Sequence, residues 1–304
     1  MAVYEHLYGA YEGESQSAFS RFLVIPRYAL REVFKSKLLT TIFILCFVYP
    51  LVAAIMVYLH HNANALSMLK INVRELLPID ATFFRTFVEL QSAFAFILTV
   101  IVAPPLISRD LSNNALPLYL CRPLSRAEYV LGKMTVVAAL LSLVTWIPGL
   151  IVFFFQAALG GFAWLSENLW MCASIFFGCF VWIVLLSLLS LAVSSLLKWR
   201  VVASGAILGI FFVPSAFGEI VNQLFMTRNG SLISLWATMN SIWRGMFWLF
   251  ERQTSIRIAA GRRKVTEIAL LEPPLWASWL IIAAVCAVCV WLLARKVRAY
   301  EVIK

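Results

Sequence analysis

The residues with chemistry to offer are few, and most of them sit in one stretch. Ser108–Lys133, SRDLSNNALPLYLCRPLSRAEYVLGK, carries Arg109, Asp110, Arg122, Arg126, Glu128 and Lys133 between two long apolar runs. Gly132-Lys133-Met134 has the look of the end of a phosphate loop. It lacks the rest: position 127 is Ala, Met134 stands where Ser or Thr would hold magnesium, and no strand precedes it. The chain is therefore expected not to bind ATP by itself. His6, His60 and His61 are the only histidines, and they read as surface residues. No H-E-x-x-H occurs, and no G-x-S-x-G with a supporting strand. Cys286-x-x-Cys289 lies inside an apolar run with no second pair to complete a four-ligand zinc site. Cys46, Cys172 and Cys179 are also in apolar runs and read as small hydrophobes. No catalytic constellation, metal site or cofactor is expected.

One acid lies within an apolar run. Glu219 sits in a polar patch with Asn222 and Gln223, downstream of Pro214 and Gly218. Ionisable groups inside a membrane are costly and mark pathways by default, so Glu219, Asn222 and Gln223 form a candidate transport path. The alternative is a structural acid paired with an arginine of the next loop. Gly205-x-x-x-Gly209 is a weak signal for close helix approach.

The elements around these residues follow from composition. Of 304 residues, 62% are hydrophobic and 13% charged, against roughly 25% charged in a soluble domain. Mean hydropathy is +0.88. The net charge of +10 raises the question of nucleic acid. The basic residues instead flank apolar runs, as membrane topology requires, so lipid is expected as a partner and nucleic acid is not.

Six apolar runs approach the ~20 residues that cross a bilayer. They are Leu39–Leu59, Phe87–Ile107, Val130–Ala158, Leu169–Leu197, Val201–Met226 and Leu275–Ala294. Ahead of them Arg21–Leu38 reads as an interfacial amphipathic helix. Phe22, Pro26, Ala29, Leu30 and Val33 mark its apolar side, and Arg27, Arg31 and Lys35 its basic side. No cleavable signal is expected, because the first apolar run starts too late. The fold class is all-α: a polytopic membrane protein with six transmembrane helices plus the N-terminal interfacial helix. Its parts are an N-terminal segment 1–38, a transmembrane domain 39–294 and a basic tail 295–304. Prolines 50, 104, 105, 148 and 214 are kinks that neighbouring helices must accommodate.

Lys and Arg concentrate in the N-terminal segment, in 108–133, at Lys198 and Arg200, and in the tail. With six spans these share one side, so both termini are expected in the cytoplasm of a cell-membrane (inner or plasma membrane) protein. One loop resists. Residues 227–274, on the far side, carry Arg228, Arg244, Arg252, Arg257, Arg262, Arg263 and Lys264. Leu232, Leu235, Trp236, Met239, Ile242, Trp243, Met246, Phe247 and Phe250 recur there at helical spacing. This predicts an amphipathic helix lying on or dipping into the outer leaflet.

Within 108–133 the S-x-x-E of Ser125 and Glu128 matches a capping box, so a helix starts at Ser125 and runs into the third span. Leu118, Tyr119 and Leu120 make an apolar knob between breaks at Asn113-Asn114 and Pro123. Asp110 at the exit of the second span, followed by LYLCRPLSRAEYVLGK, resembles the loop between the second and third spans of type-2 ABC transporter permeases. The positions that carry the resemblance are Leu118, Leu120, Arg122, Pro123, Ser125, Arg126, Glu128, Gly132 and Lys133. Asn113-Asn114 depart from that pattern. The resemblance implies an exporter permease without its own ATPase site. It implies an ABC ATP-binding subunit as partner, which holds ATP and magnesium, and a second permease copy or paralogue. It further implies that the 108–133 loop is the coupling helix, contacting the ATPase through Arg109, Asp110, Leu118, Tyr119, Leu120, Arg122, Pro123, Arg126, Glu128 and Lys133. The alternatives are a secondary transporter, for which Glu219 is a meagre endowment, and a non-transporting membrane assembly protein. An intramembrane enzyme would want clustered His, Asp or Glu, which the sequence does not offer.

Overall fold

The computed structural model describes residues 26–31, 33–62, 78–113, 126–197, 199–249, 253–260, 264–271 and 273–296. Among them, five helices are long and apolar enough to cross a membrane: Lys37–His61, Ala81–Ser108, Ala127–Leu196, Arg200–Phe225 and Leu275–Lys296. The first divides into α1 (Lys37–Leu45) and α2 (Val48–His61), and the second into α3 (Ala81–Val102) and α4 (Pro104–Ser112). The third consists of α5 (Arg126–Val144) and α6 (Trp146–Leu196). Then come α7 (Arg200–Phe225), a 3-10 turn at Asn229–Leu232, and α8 (Leu235–Met246). After them follow β1 (Gln253–Ala260), β2 (Lys264–Leu271) and α9 (Leu275–Lys296).

The 70-residue helical stretch Ala127–Leu196 would be about 105 Å long if straight, against a hydrocarbon layer of about 30 Å. It doubles back instead. Gly161 has φ 85° and ψ 173°, a conformation open to glycine and to almost nothing else. The rings of Trp146 and Phe176 lie 5.2 Å apart, and those of Phe153 and Trp164 5.5 Å. A separation of about thirty residues in a straight helix would hold Trp146 and Phe176 about 45 Å apart. The gap between the apolar runs Val130–Ala158 and Leu169–Leu197 implies a loop between them. The chain turns at Gly161, with helix on both sides.

The kinks have a common remedy. A proline has no N–H to give the carbonyl four residues back. Pro50 so releases the Cys46 carbonyl, Pro148 that of Val144, and Pro104 that of Val100. Gln91, fully buried in α3, donates from its amide nitrogen to both Cys46 O (2.8 Å) and Val144 O (2.6 Å). Ser204 of α7 donates to Val100 O at 2.8 Å. Three breaks are thus closed by two polar side chains from other helices, as an apolar solvent demands. Gln91 thereby ties α3 to the junction of α1 and α2 and to that of α5 and α6.

Around this knot the core is aromatic. Trp182 is buried and donates to Ser92 O at 3.1 Å. Its ring meets Trp236 at 5.4 Å and Trp243 at 5.7 Å, both edge-on, the arrangement the ring quadrupoles favour.

The segment after α7 departs from expectation. Helix α8 is there, with a serine N-cap in which Ser234 Oγ accepts from Ala237 N. Its apolar side, however, does not face lipid. Leu235, Met239, Ile242 and Trp243 are buried in the protein. Trp243 donates to Gly178 O at 3.1 Å, and Ser174 donates to Met246 O at 2.8 Å. At 12 residues, about 18 Å, α8 is too short to cross a bilayer. Where α7 meets the 3-10 turn, a Cβ on either Gly218 or Gly230 would collide with the other's carbonyl oxygen; the absence of both side chains permits the backbones to touch. By contrast, a Cβ on Gly205 or Gly209 would meet nothing within 4 Å, so that spacing serves no contact among the described residues. The two antiparallel strands pair Gln253 with Leu271 through Ala260 with Lys264. They are an addition to the all-α expectation.

Candidate coupling site

The second span breaks at Ala103, ahead of Pro104-Pro105, and continues as α4. This bend carries Asp110 across to the start of α5. There Lys133 Nζ lies 2.9 Å from Asp110 Oδ2, and the Tyr129 hydroxyl donates to the same oxygen at 2.7 Å. Tyr129 and Lys133 are one helical turn apart on α5, so both reach one acceptor. The Lys133 ammonium is also 5.7 Å from the Tyr129 ring centroid, within cation–π range. The Lys133 side chain is 8% exposed and that of Asp110 15%. A charge so buried is tolerable only when paired and hydrogen-bonded.

This three-residue clamp closes the base of the loop. Residues 114–125 lie outside the described residues, and with them Leu118, Tyr119, Leu120, Arg122, Pro123 and Ser125 of the expected contact set. Helix α5 begins at Arg126, the residue after the expected cap, with Glu128 in its first turn. Arg109 lies in α4. The Arg109 side chain lies outside the described residues, and Asp110 bonds Lys133 and Tyr129. Tyr129 was missed, although its spacing to Lys133 was the available signal.

A cleft of about 750 Å³ adjoins the clamp. Its walls join Asp110 and Lys133 to Ala29, Val33 and Lys35 of the N-terminal segment and to Arg200 at the start of α7. Residues 26–31, 33 and 34 of that segment are helical. Ala29, Leu30 and Val33 pack against the protein core, and Arg27 and Arg31 are exposed. The amphipathic reading holds for these residues, but the apolar side rests on protein. Three basic segments distant in sequence therefore meet at one end of the bundle.

The candidate transport path divides. Glu219 is exposed on α7, with Gln223 Nε2 at 3.5 Å, a marginal bond. No ion pair of Glu219 with an arginine is found among the described residues. Asn222 turns the other way, its Oδ1 2.6 Å from the position of a Cβ on Gly230. The structure thus keeps Glu219 and Gln223 together on an open face and places Asn222 in the packing of α7 on the 3-10 turn.

Long apolar helices, a core knit by buried amides and indoles, and a closed polar loop base define a multi-pass helical membrane protein. A family model described as ABC-2 family transporter protein matches residues 23–294, nearly the whole chain and including the N-terminal amphipathic segment. The chain belongs to the ABC-2 transporter family. No curated protein matches it at a significant level. Family membership makes it a membrane subunit of an ABC transporter, a class that works with ATP-binding subunits and typically lacks an ATPase site of its own.

Proposed function

We propose that this chain is the permease of an ABC exporter, driven by ATP hydrolysed on a separate subunit that docks against the 108–133 loop. ATP and magnesium belong to that subunit. The two arms either side of Gly161 count as two crossings, giving six spans with a helix at the interface ahead of them. Residues 1–38, 39–294 and 295–304 are then the N-terminal segment, the permease domain and a cytoplasmic tail, and both termini face the cytoplasm. Two permease copies, or this chain and a paralogue, make the transmembrane unit in the cell membrane.

The Asp110–Lys133–Tyr129 clamp carries this reading. A push on a loop moves spans only if the loop's two ends are fixed to them. Here the ends are also fixed to each other, so force entering near Arg122 or Arg126 reaches α4 and α5 together. Glu219 and Gln223, on an exposed face with the uncontacted Gly205 and Gly209, are suited to a path completed by the second copy. The test is purification of the chain with its ATP-binding partner, followed by transport and hydrolysis assays on Arg122→Glu/Arg126→Glu. The expected result is retained hydrolysis with lost transport. Wild-type coupling in that variant rules out the docking assignment.

A further inference from the structure

The cleft beside the clamp has more wall than the clamp uses. One wall comes from the N-terminal segment and α1, a second from α3 and α4, and a third from α7. All three run in the same order. Lys35 precedes α1, and Leu39 lies in its first turn. Asp110 lies in α4, and Val100 and Val102 end α3, deeper along the same span. Arg200 begins α7, and Ser204 lies one turn in, its hydroxyl donated to the Val100 carbonyl at 2.8 Å. Charge is thus gathered where the spans end, and apolar side chains line the cleft towards their middle.

Two of the charges are already matched. Lys133 and Asp110 hold each other, with Tyr129 on the same carboxylate oxygen. Arg200 is different. It is exposed, and it has no ion pair among the described residues. Recognition therefore rests on Arg200. A guanidinium at the mouth of an apolar slot fits an amphiphile with an anionic head and an alkyl tail. Within a bilayer such a ligand is at hand, and basic pockets between spans take phospholipid headgroups.

We propose that this cleft binds one anionic phospholipid, its phosphate on Arg200 and an acyl chain along Val100, Val102 and Leu39. A space of about 750 Å³ is of the size that takes a small molecule. It holds the head and the adjoining part of a chain, and the remainder lies in the surrounding bilayer. The proposal does not depend on the docking assignment, because its test measures binding without the ATP-binding subunit.

The experiment uses the full chain, purified in detergent and delipidated. It is titrated with phosphatidylglycerol or phosphatidylcholine, and bound lipid is counted by native mass spectrometry. Saturable binding of one phosphatidylglycerol, tighter than that of phosphatidylcholine, is expected. Arg200→Gln should weaken it about fivefold, and Arg200→Lys should restore part of it. Arg200 is exposed, so its replacement leaves the core intact. Arg27→Gln removes the same charge from the exposed side of the N-terminal segment, outside the cleft lining, and should leave binding unchanged. Equal binding by wild type and Arg200→Gln overturns the proposal. So does an equal loss in Arg27→Gln, the mark of a general attraction to surface charge. Glycerol 3-phosphate lacks the chain and should not displace the lipid at equal concentration. Displacement assigns the site to soluble phosphate esters and overturns the lipid reading.

Discussion

The second span ends in two polar assemblies that differ in what they join. At one end Lys133 and Tyr129 of α5 converge on Asp110, 23 and 19 residues away in sequence. At the other, Arg85 and Glu89 are neighbours on one helix, and Asn240 of α8 bonds both. The first pair is 8% and 15% exposed; the second is 20% and 28%. The first therefore fixes two spans to each other across a loop. The second is a local pair, weak by itself, recruited to hold a short helix against the bundle. One end ties two spans together beneath the proposed docking loop, and the other anchors a short helix.

The sharpest way to break this contrast is Lys133→Met. It leaves the Asp110 carboxylate buried beside Tyr129 without its cation, at a cost of about 3–5 kcal/mol. A clear fall in the thermal-inactivation midpoint is expected, together with loss of coupling. Asp110→Asn/Lys133→Met should recover much of the stability and none of the coupling. Recovery of both would reduce the clamp to an ordinary structural pair.

Gln91→Leu is next. It leaves two proline-released carbonyls in hydrocarbon, with a net loss of about 2–3 kcal/mol from two missing bonds. Hydrogen exchange should rise near Cys46 and Val144 together. A rise at only one of them contradicts the shared latch. Gly218→Ala should cost about 1–3 kcal/mol by overpacking, and the loss should be confined to the attachment of α7 to Gly230. The smallest effect belongs to Asn240→Ala, about 1 kcal/mol. It should loosen α8, read as faster exchange of its amides, and leave ATPase coupling untouched.

Much of the frame was legible from residues. Runs of apolar length gave the spans, and the expected helix start at Ser125 adjoins the described start of α5 at Arg126. Alternation of Ala29, Leu30 and Val33 with Arg27 and Arg31 gave the N-terminal amphipathic helix. Other features needed three dimensions. The gap between the third and fourth apolar runs marked a loop, but not that helix continues up to Gly161 on both sides. Gln91 reads as a polar interruption of a span until the carbonyls of Cys46 and Val144 are brought to it. The beginning of α3 at Ala81 was missed because Arg85 and Glu89 depress the hydropathy that marks a span, although Asp80 is a good N-cap type. The strands 253–260 and 264–271 were passed over. Ser255-Ile256-Arg257-Ile258 alternates over too short a run to stand out beside the helical signal of α8. Asp110 and Lys133 were singled out and Tyr129 was not, because a pairing across a loop leaves no periodic trace.

The central claim is that the clamp carries motion from the ATPase to the spans. Its most direct test is an ATP-driven distance change measured between spin labels at the Arg85 end of the bundle, across the two permease copies, with the ATP-binding partner present. The wild type should show the change. Lys133→Met should retain the partner and hydrolyse ATP with the distance unmoved. A distance change of wild-type size in Lys133→Met would contradict the account.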